Sequence, residues 1–112
     1  MIVINQSVAT LQYVRIQVNA TVNGNTSYNP TSDTVQFAFL NTASNIQTTA
    51  PSSWVAASWE TGGTTQSPIY VAKCLVGPGG TFVPSTATYW IWMKITDTPE
   101  IPVLFVGQLV VT

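Results

Sequence analysis

Seven residues carry formal charge in this chain of 112: Arg15, Asp33, Glu60, Lys73, Lys94, Asp97 and Glu100. Any catalysis would run on these, on the single cysteine Cys74 and on hydroxyls, because the chain has no histidine. Histidine is the commonest general base and the commonest metal ligand. Glu60, Asp97 and Glu100 are the candidates for a glycosidase pair, which needs two carboxyls ~5–9.5 Å apart across a sugar. Each falls at a strand end or in a turn, where acidic side chains serve the local backbone. No Asp-x-Asp-x-Asp/Asn-Gly loop offers a calcium site. Cys74 sits on the apolar face of a strand with no base to activate it, which is the setting of a core thiol. Gly77-Pro-Gly-Gly80 lacks the lysine and the following helix of a phosphate loop, so it is a turn. The expectation is a protein with no catalytic residues, no cofactor and no metal.

The aromatic residues are the other group with chemistry to offer. Trp90 and Trp92 alternate with Tyr89, Ile91 and Met93, so both faces of that segment are apolar. A half-buried antiparallel strand should show water to one side. Either the chain's own residues 41–53 or its N-terminal arm cover the second face, or another protein does. Tryptophan and tyrosine are favoured anchors of protein interfaces. Trp90 and Trp92 are therefore the expected contact residues, with Trp54 and Trp59 contributing and Asp97, Pro99, Glu100 and Pro102 at the rim. A third possibility is a carbohydrate-binding module, in which Trp54, Trp59, Trp90 and Trp92 form a stacking platform.

Composition points the same way. Charged residues make up 6% of the chain, against ~25% in an ordinary domain. Ser, Thr, Asn and Gln fill 40 positions instead. Three basic residues leave no footprint for nucleic acid or anionic lipid. Hydrophobic residues reach 46% and the net charge is −1, which excludes the composition of a disordered chain. A freely soluble surface carries ~25–35% charged residues, so a charge-poor chain favours contact with neighbours.

The elements that must position these residues are strands. Val and Ile total 22, against five Leu, and β-branched residues favour strands. Segment 11–22 alternates strictly, with Val14, Ile16, Val18, Ala20 and Val22 on one face, and ends at the turn Asn23-Gly24-Asn25. Further strands are expected over 34–40, 54–59, 69–76, 88–96 and 103–111, with a short edge strand at 2–4. Residues 41–53 read as a loop pinned by Ile46. The chain is one domain, 1–112. It is expected to be all-β: a single antiparallel β-sandwich of six to seven strands, immunoglobulin-like, with a jelly roll or a small closed barrel as the other solutions.

No basic n-region and apolar run marks a signal peptide, and no window approaches 18 apolar residues. Synthesis in a cytoplasm is expected. The three Asn-x-Ser/Thr sequons, at Asn5, Asn19 and Asn25, then have no role.

The C-terminal part carries a family pattern. Lys73-Cys-Leu-Val-Gly-Pro-Gly-Gly80, then Tyr89-Trp-Ile-Trp-Met-Lys-Ile-Thr-Asp-Thr-Pro-Glu-Ile-Pro102, then a Gly-containing final strand, resembles small virion proteins of tailed phages of actinobacteria. Trp54-Val-Ala-Ala-Ser-Trp-Glu60, followed by a Gly-rich loop, fits the same pattern. The resemblance covers about the last 60 residues; the chain is more neutral than such proteins usually are. It implies a β-sandwich in the virion, made in the host cytoplasm, bound to the major capsid protein or to copies of itself, and to neither nucleic acid nor membrane. The expected role is a capsid decoration (minor capsid) protein on the outer surface of the head. A neck or tail ring component is the alternative.

Overall fold

The computed structural model describes residues 2–18, 30–64, 68–96 and 101–112. Eight strands follow one another: β1 (Ile2–Gln6), β2 (Gln12–Val18), β3 (Thr34–Asn41), β4 (Val55–Ala56), β5 (Ser58–Gly63), β6 (Pro68–Val76), β7 (Ala87–Thr96) and β8 (Val103–Val111). Only a 3-10 turn at Pro30–Ser32 interrupts this all-β order among the described residues. Among them, no helix is long and apolar enough to cross a membrane. Five strands form one sheet in the order β1-β8-β7-β3-β4, and three form a second in the order β2-β6-β5.

The alternation read in the sequence sets the inner faces. Val14, Ile16 and Val18 of β2 and Ala72, Cys74 and Val76 of β6 meet Val35 and Phe37 of β3 and Tyr89, Ile91, Met93 and Ile95 of β7 in one core, with Leu109 and Val111 of β8. Each strand contributes every second residue, because successive side chains point to opposite faces. Phe39, Phe82 and Tyr89 close one end: Phe39 stacks on Phe82 at 4.5 Å and Tyr89 meets Phe82 edge-on at 5.5 Å. The Tyr89 hydroxyl donates to the Ser85 carbonyl and accepts from the Ser85 amide, both at 3.1 Å. This fastens the entry of β7 to the chain four residues upstream.

Three expectations are corrected. Among the described residues the strands number eight, where six to seven were expected, because the segment 54–59 is two strands. Val55–Ala56 pairs with β3 in the large sheet, whereas Ser58–Gly63 pairs with β6 in the small one. Ala57 is the crossing point, its amide still donating to the Val35 carbonyl at 3.2 Å. A strand that changes sheets makes a corner of the sandwich, and the small side chains of Ala56, Ala57 and Ser58 leave room for the bend.

The sheets are also not wholly antiparallel. β1 is longer than expected and runs parallel to β8, from Ile2 opposite Gly107 to Gln6 opposite Val111. A Cβ on Gly107 would overlap the Ile2 carbonyl oxygen, so the close approach of β1 requires glycine there. Buried Gln6 ties β1 to the end of β6, its Nε2 donating to the Val76 and Thr10 carbonyls at 2.8 and 2.9 Å.

Ile46, finally, does not pin residues 41–53. It is 70% exposed. The Asn45 carbonyl is the anchor, taking a hydrogen bond from the Trp90 indole at 2.8 Å. Gly77-Pro-Gly-Gly80 is a turn as expected, with Gly77 and Gly79 at positive φ. The expected strand end at Val22 and the turns at Asn23-Gly24-Asn25 and 97–100 lie outside the described residues.

Candidate functional site

The outer faces of the two sheets differ in kind. On the three-stranded sheet, Arg15, Lys73 and Ser58 stand side by side in register. Glu60 bridges both cations, with Oε2 3.4 Å from Arg15 Nε and Oε1 3.4 Å from Lys73 Nζ. The Tyr13 ring lies under the same two cations, at 5.2 and 4.6 Å. Surface pairs of this kind contribute about 0–1 kcal/mol each. Their meaning is one of placement: three of the five charged residues described (Arg15, Asp33, Glu60, Lys73 and Lys94) crowd this one face, which is built to meet water.

The outer face of the five-stranded sheet carries Trp90, Trp92 and Lys94 of β7. The β7–β8 ladder contains a bulge, so that Ile91 opposes Gly107 but Trp92 opposes Phe105. One residue of β8, Val106, is passed over. A bulge re-aims the side chains beyond it, and here it brings Phe105 and Val103 to the same outer face as Trp92 and Lys94. Phe105 stands between the indoles, edge-on to Trp90 at 5.9 Å and to Trp92 at 5.6 Å. Ala38, opposite Trp92 on β3, is only 1% exposed although it points outward. Val103 is 43% exposed, and its neighbours Ile101 and Leu104 are exposed as well. Trp54 ends the loop 42–54 and lies against Lys94, whose Nζ is 4.7 Å from the ring centroid.

Trp54, Trp90 and Trp92 thus share one face. Trp59 does not. It belongs to β5 and packs against the core, its Nε1 donating to the Asp33 carbonyl at 2.9 Å. Pro102 is exposed beside β8. Asp97, Pro99 and Glu100 lie outside the described residues. The four tryptophans therefore do not make one stacking platform. No family model, no curated protein and no solved structure matches the chain.

Sequence reasoning missed Phe105 and Val103 as members of the aromatic face. The bulge that turns them outward leaves no mark in a strand whose residues are apolar on both faces. It also missed Gln6, whose polar side chain gave no sign of burial.

Cys74 is buried and lines a cleft of about 270 Å³ with Tyr13, Ala56, Ala57, Ser58 and Lys73, at the point where β5 leaves β6. Its Sγ lies 3.6 Å from the Ala56 carbonyl. Burial pushes the thiol up to about 11, so at neutral pH it is protonated and not a nucleophile. A thiol whose folded pKa is raised stabilises the fold fully below the unfolded value. That contribution is lost as pH rises towards the folded value. Relative to Cys74→Ala, the wild-type chain is expected to lose stability between about pH 9 and 11, by up to about 1.4 kcal/mol per pH unit. Urea unfolding of both proteins across that range checks it; parallel curves would show that the thiol does not titrate differently on folding. Among the described residues no group of three or more acidic or cysteine side chains gathers to hold a metal ion.

Proposed function

We propose that this chain is an immunoglobulin-like sandwich acting as a non-enzymatic structural protein of a tailed-phage virion. Its role is capsid decoration: it docks on the outer surface of the head through the outer face of its five-stranded sheet and stabilises the shell. The observation that carries the docking reading is the contrast between the two outer faces. One holds a cluster of three paired charges, and the other holds Trp90, Phe105 and Trp92 with exposed Val103. Aromatic clusters with a charge-depleted centre are the composition of protein interfaces. The virion assignment rests on the sequence resemblance over the last 60 or so residues. Binding the assembled shell alone would stabilise it by mass action.

The immunoglobulin-like reading is supported by strand order. β8-β7-β3 and β2-β6-β5 correspond to the G-F-C and B-E-D orders of that fold. The Tyr89–Ser85 hydrogen bonds are those of a tyrosine corner, at the start of the strand where that fold has one. Phe37 and Ile91 occupy the centre that a tryptophan and a disulfide fill in antibody domains.

Two charge insertions test the docking face. Val103→Glu places a carboxylate on the aromatic face, and Gln17→Glu places one on the outer face of the small sheet. Each is offered to phage heads lacking the protein. Val103→Glu is expected to reduce bound copies at least tenfold, because its carboxylate, opposite Lys94 in register, would have to be stripped of water together with that cation on docking, and Gln17→Glu to leave them unchanged. Equal binding by both, or loss with Gln17→Glu alone, would contradict this assignment of the face.

A further inference from the structure

Residues 42–54 join β3 to β4. Their first turn is tied to the strand ends, with the Thr42 amide donating to the Thr88 carbonyl at 2.9 Å, the Ala43 amide to Asn41 Oδ1 at 2.8 Å and Asn45 Nδ2 to the Asn41 carbonyl at 3.0 Å. Across the outer face of the large sheet the segment is fastened at two places. Near one end the Trp90 indole donates to the Asn45 carbonyl at 2.8 Å. At the other end Lys94 holds the Trp54 ring, with Nζ 4.7 Å from its centroid. Trp90 and Lys94 both stand on β7, two residues to either side of Trp92 and on the same face. The two fastenings therefore bracket Trp92.

Between them the segment is loosely held. Among the described residues, its hydrogen bond from the Thr49 amide to the Ile46 carbonyl, 3.0 Å, is internal, and residues 47–53 make none to the sheet. Ile46, its one large aliphatic residue, is 70% exposed and adds no apolar anchor. The bracketed Trp92 is in an unusual state. Its Nε1 is closed to solvent, yet meets no acceptor among the described residues. A buried donor without an acceptor loses its water and gains nothing in return. Apart from the hydrogen bonds of the turn at the β3 end, the closed arrangement is thus held by two contacts and opposed by one unpaired donor. Segments with few buried apolar contacts and few hydrogen bonds are those that open locally below the cost of global unfolding.

We propose that residues 42–54 are a strap that opens on the intact sandwich and uncovers Trp92, gating the aromatic face. The gating rests on the docking role given above; the opening is a property of the isolated chain. Closed, the strap shields Trp92 from water and from unspecific contacts. Open, it presents the unpartnered Trp92 indole N–H beside Phe105, ready for an acceptor on the shell protein that docks there.

Solvent exchange of indole protons tests this. The full chain is labelled with ¹⁵N-tryptophan and uniformly with ¹⁵N, and the four indole signals are assigned through single Trp→Phe variants. The Trp92 Nε1 proton is expected to exchange at least roughly 100-fold faster than the Met93 amide, after correction for intrinsic rates, because strap opening does not require the sheet to open. Trp90→Phe removes one fastening and keeps an aromatic ring. It should speed Trp92 exchange by about a further tenfold and leave Met93 unchanged. Exchange of Trp92 in step with Met93 in the wild-type chain would overturn the proposal, whether or not Trp90→Phe folds. No partner is present in this measurement. A shut strap together with loss of docking in Val103→Glu would reject the strap alone. An opening strap together with full docking of Val103→Glu would reject the docking face alone.

Discussion

Phe37→Ala is expected to lower the stability of the isolated chain by about 3–5 kcal/mol. Phe37 is 0% exposed and sits at the middle of β3. Its cross-strand neighbours are Met93 of β7 and Val55 of β4, and the Phe39 ring meets it edge-on at 6.2 Å. Truncation removes the transfer free energy of a phenyl ring and leaves a cavity between two sheets that cannot collapse far. β3 is hydrogen-bonded on both sides, and β2 and β6 press from above. A domain of this size has about 5–15 kcal/mol to lose, so the variant should be close to its unfolding transition at room temperature. Urea unfolding followed by tryptophan fluorescence measures this directly. A loss below about 1 kcal/mol would mean that the core is not organised around Phe37.

Trp92→Ala is the second large effect, and it should appear in a different assay. If Trp92 is an anchor of the docking face, its loss weakens docking by ~2 kcal/mol or more, some thirtyfold in affinity. The folded chain itself should lose less than it does with Phe37→Ala. Trp92 lies outside the core and carries an unpaired N–H, so part of what its ring contributes through burial is offset by the desolvated donor. Trp92→Phe separates these terms, since it removes the N–H and keeps much of the ring. Its stability is expected to equal or exceed that of Trp92→Ala, and its docking to fall between alanine and wild type. The contrary pattern, with Trp92→Ala costing ~3–5 kcal/mol in unfolding and nothing in docking, would make Trp92 a structural residue.

Much of this architecture was legible in the residues, and the failures have physical causes. Period-2 alternation placed Val14, Ile16 and Val18, then Tyr70, Ala72, Cys74 and Val76, then Tyr89, Ile91, Met93 and Ile95 on inner faces, and all of them are buried. Lys94 marked its face as the outer one. The alternation carries no information about which strand pairs with which, so the parallel pairing of β1 was invisible. So was the change of sheet at Ala57, where a run of small residues reads as one short strand. β8 was illegible for a related reason. With apolar residues on both faces, a bulge can shift its phase without changing the pattern, and this one decides that Phe105 joins Trp90 and Trp92. Of the candidate site, the tryptophan pair was legible as a strand with two apolar faces. Of the explanations offered for that second face, cover by the chain's own loop applies in part. Residues 42–54 lie across it through Asn45 and Trp54, while Val103 and its neighbours remain open to solvent.

The shape of the surface bears on assembly. Lys94 is the one charged residue that the described part of β7, β8 and β3 places on the aromatic face, and it is already engaged with Trp54. Contacts made there would depend little on salt, since screening acts on exposed charges. The charged cluster on the opposite sheet would remain in water and keep the bound copies soluble.

In the decoration role proposed above, this chain is one of many copies fixed to a phage head. Quantitative mass spectrometry of purified particles that contain it tests that role. Copies in the hundreds per particle, in fixed ratio to a major capsid protein, are expected. A count of about six or twelve would contradict decoration and place the chain in a neck or tail ring, and recovery only as a free monomer with no particle would contradict the virion role altogether.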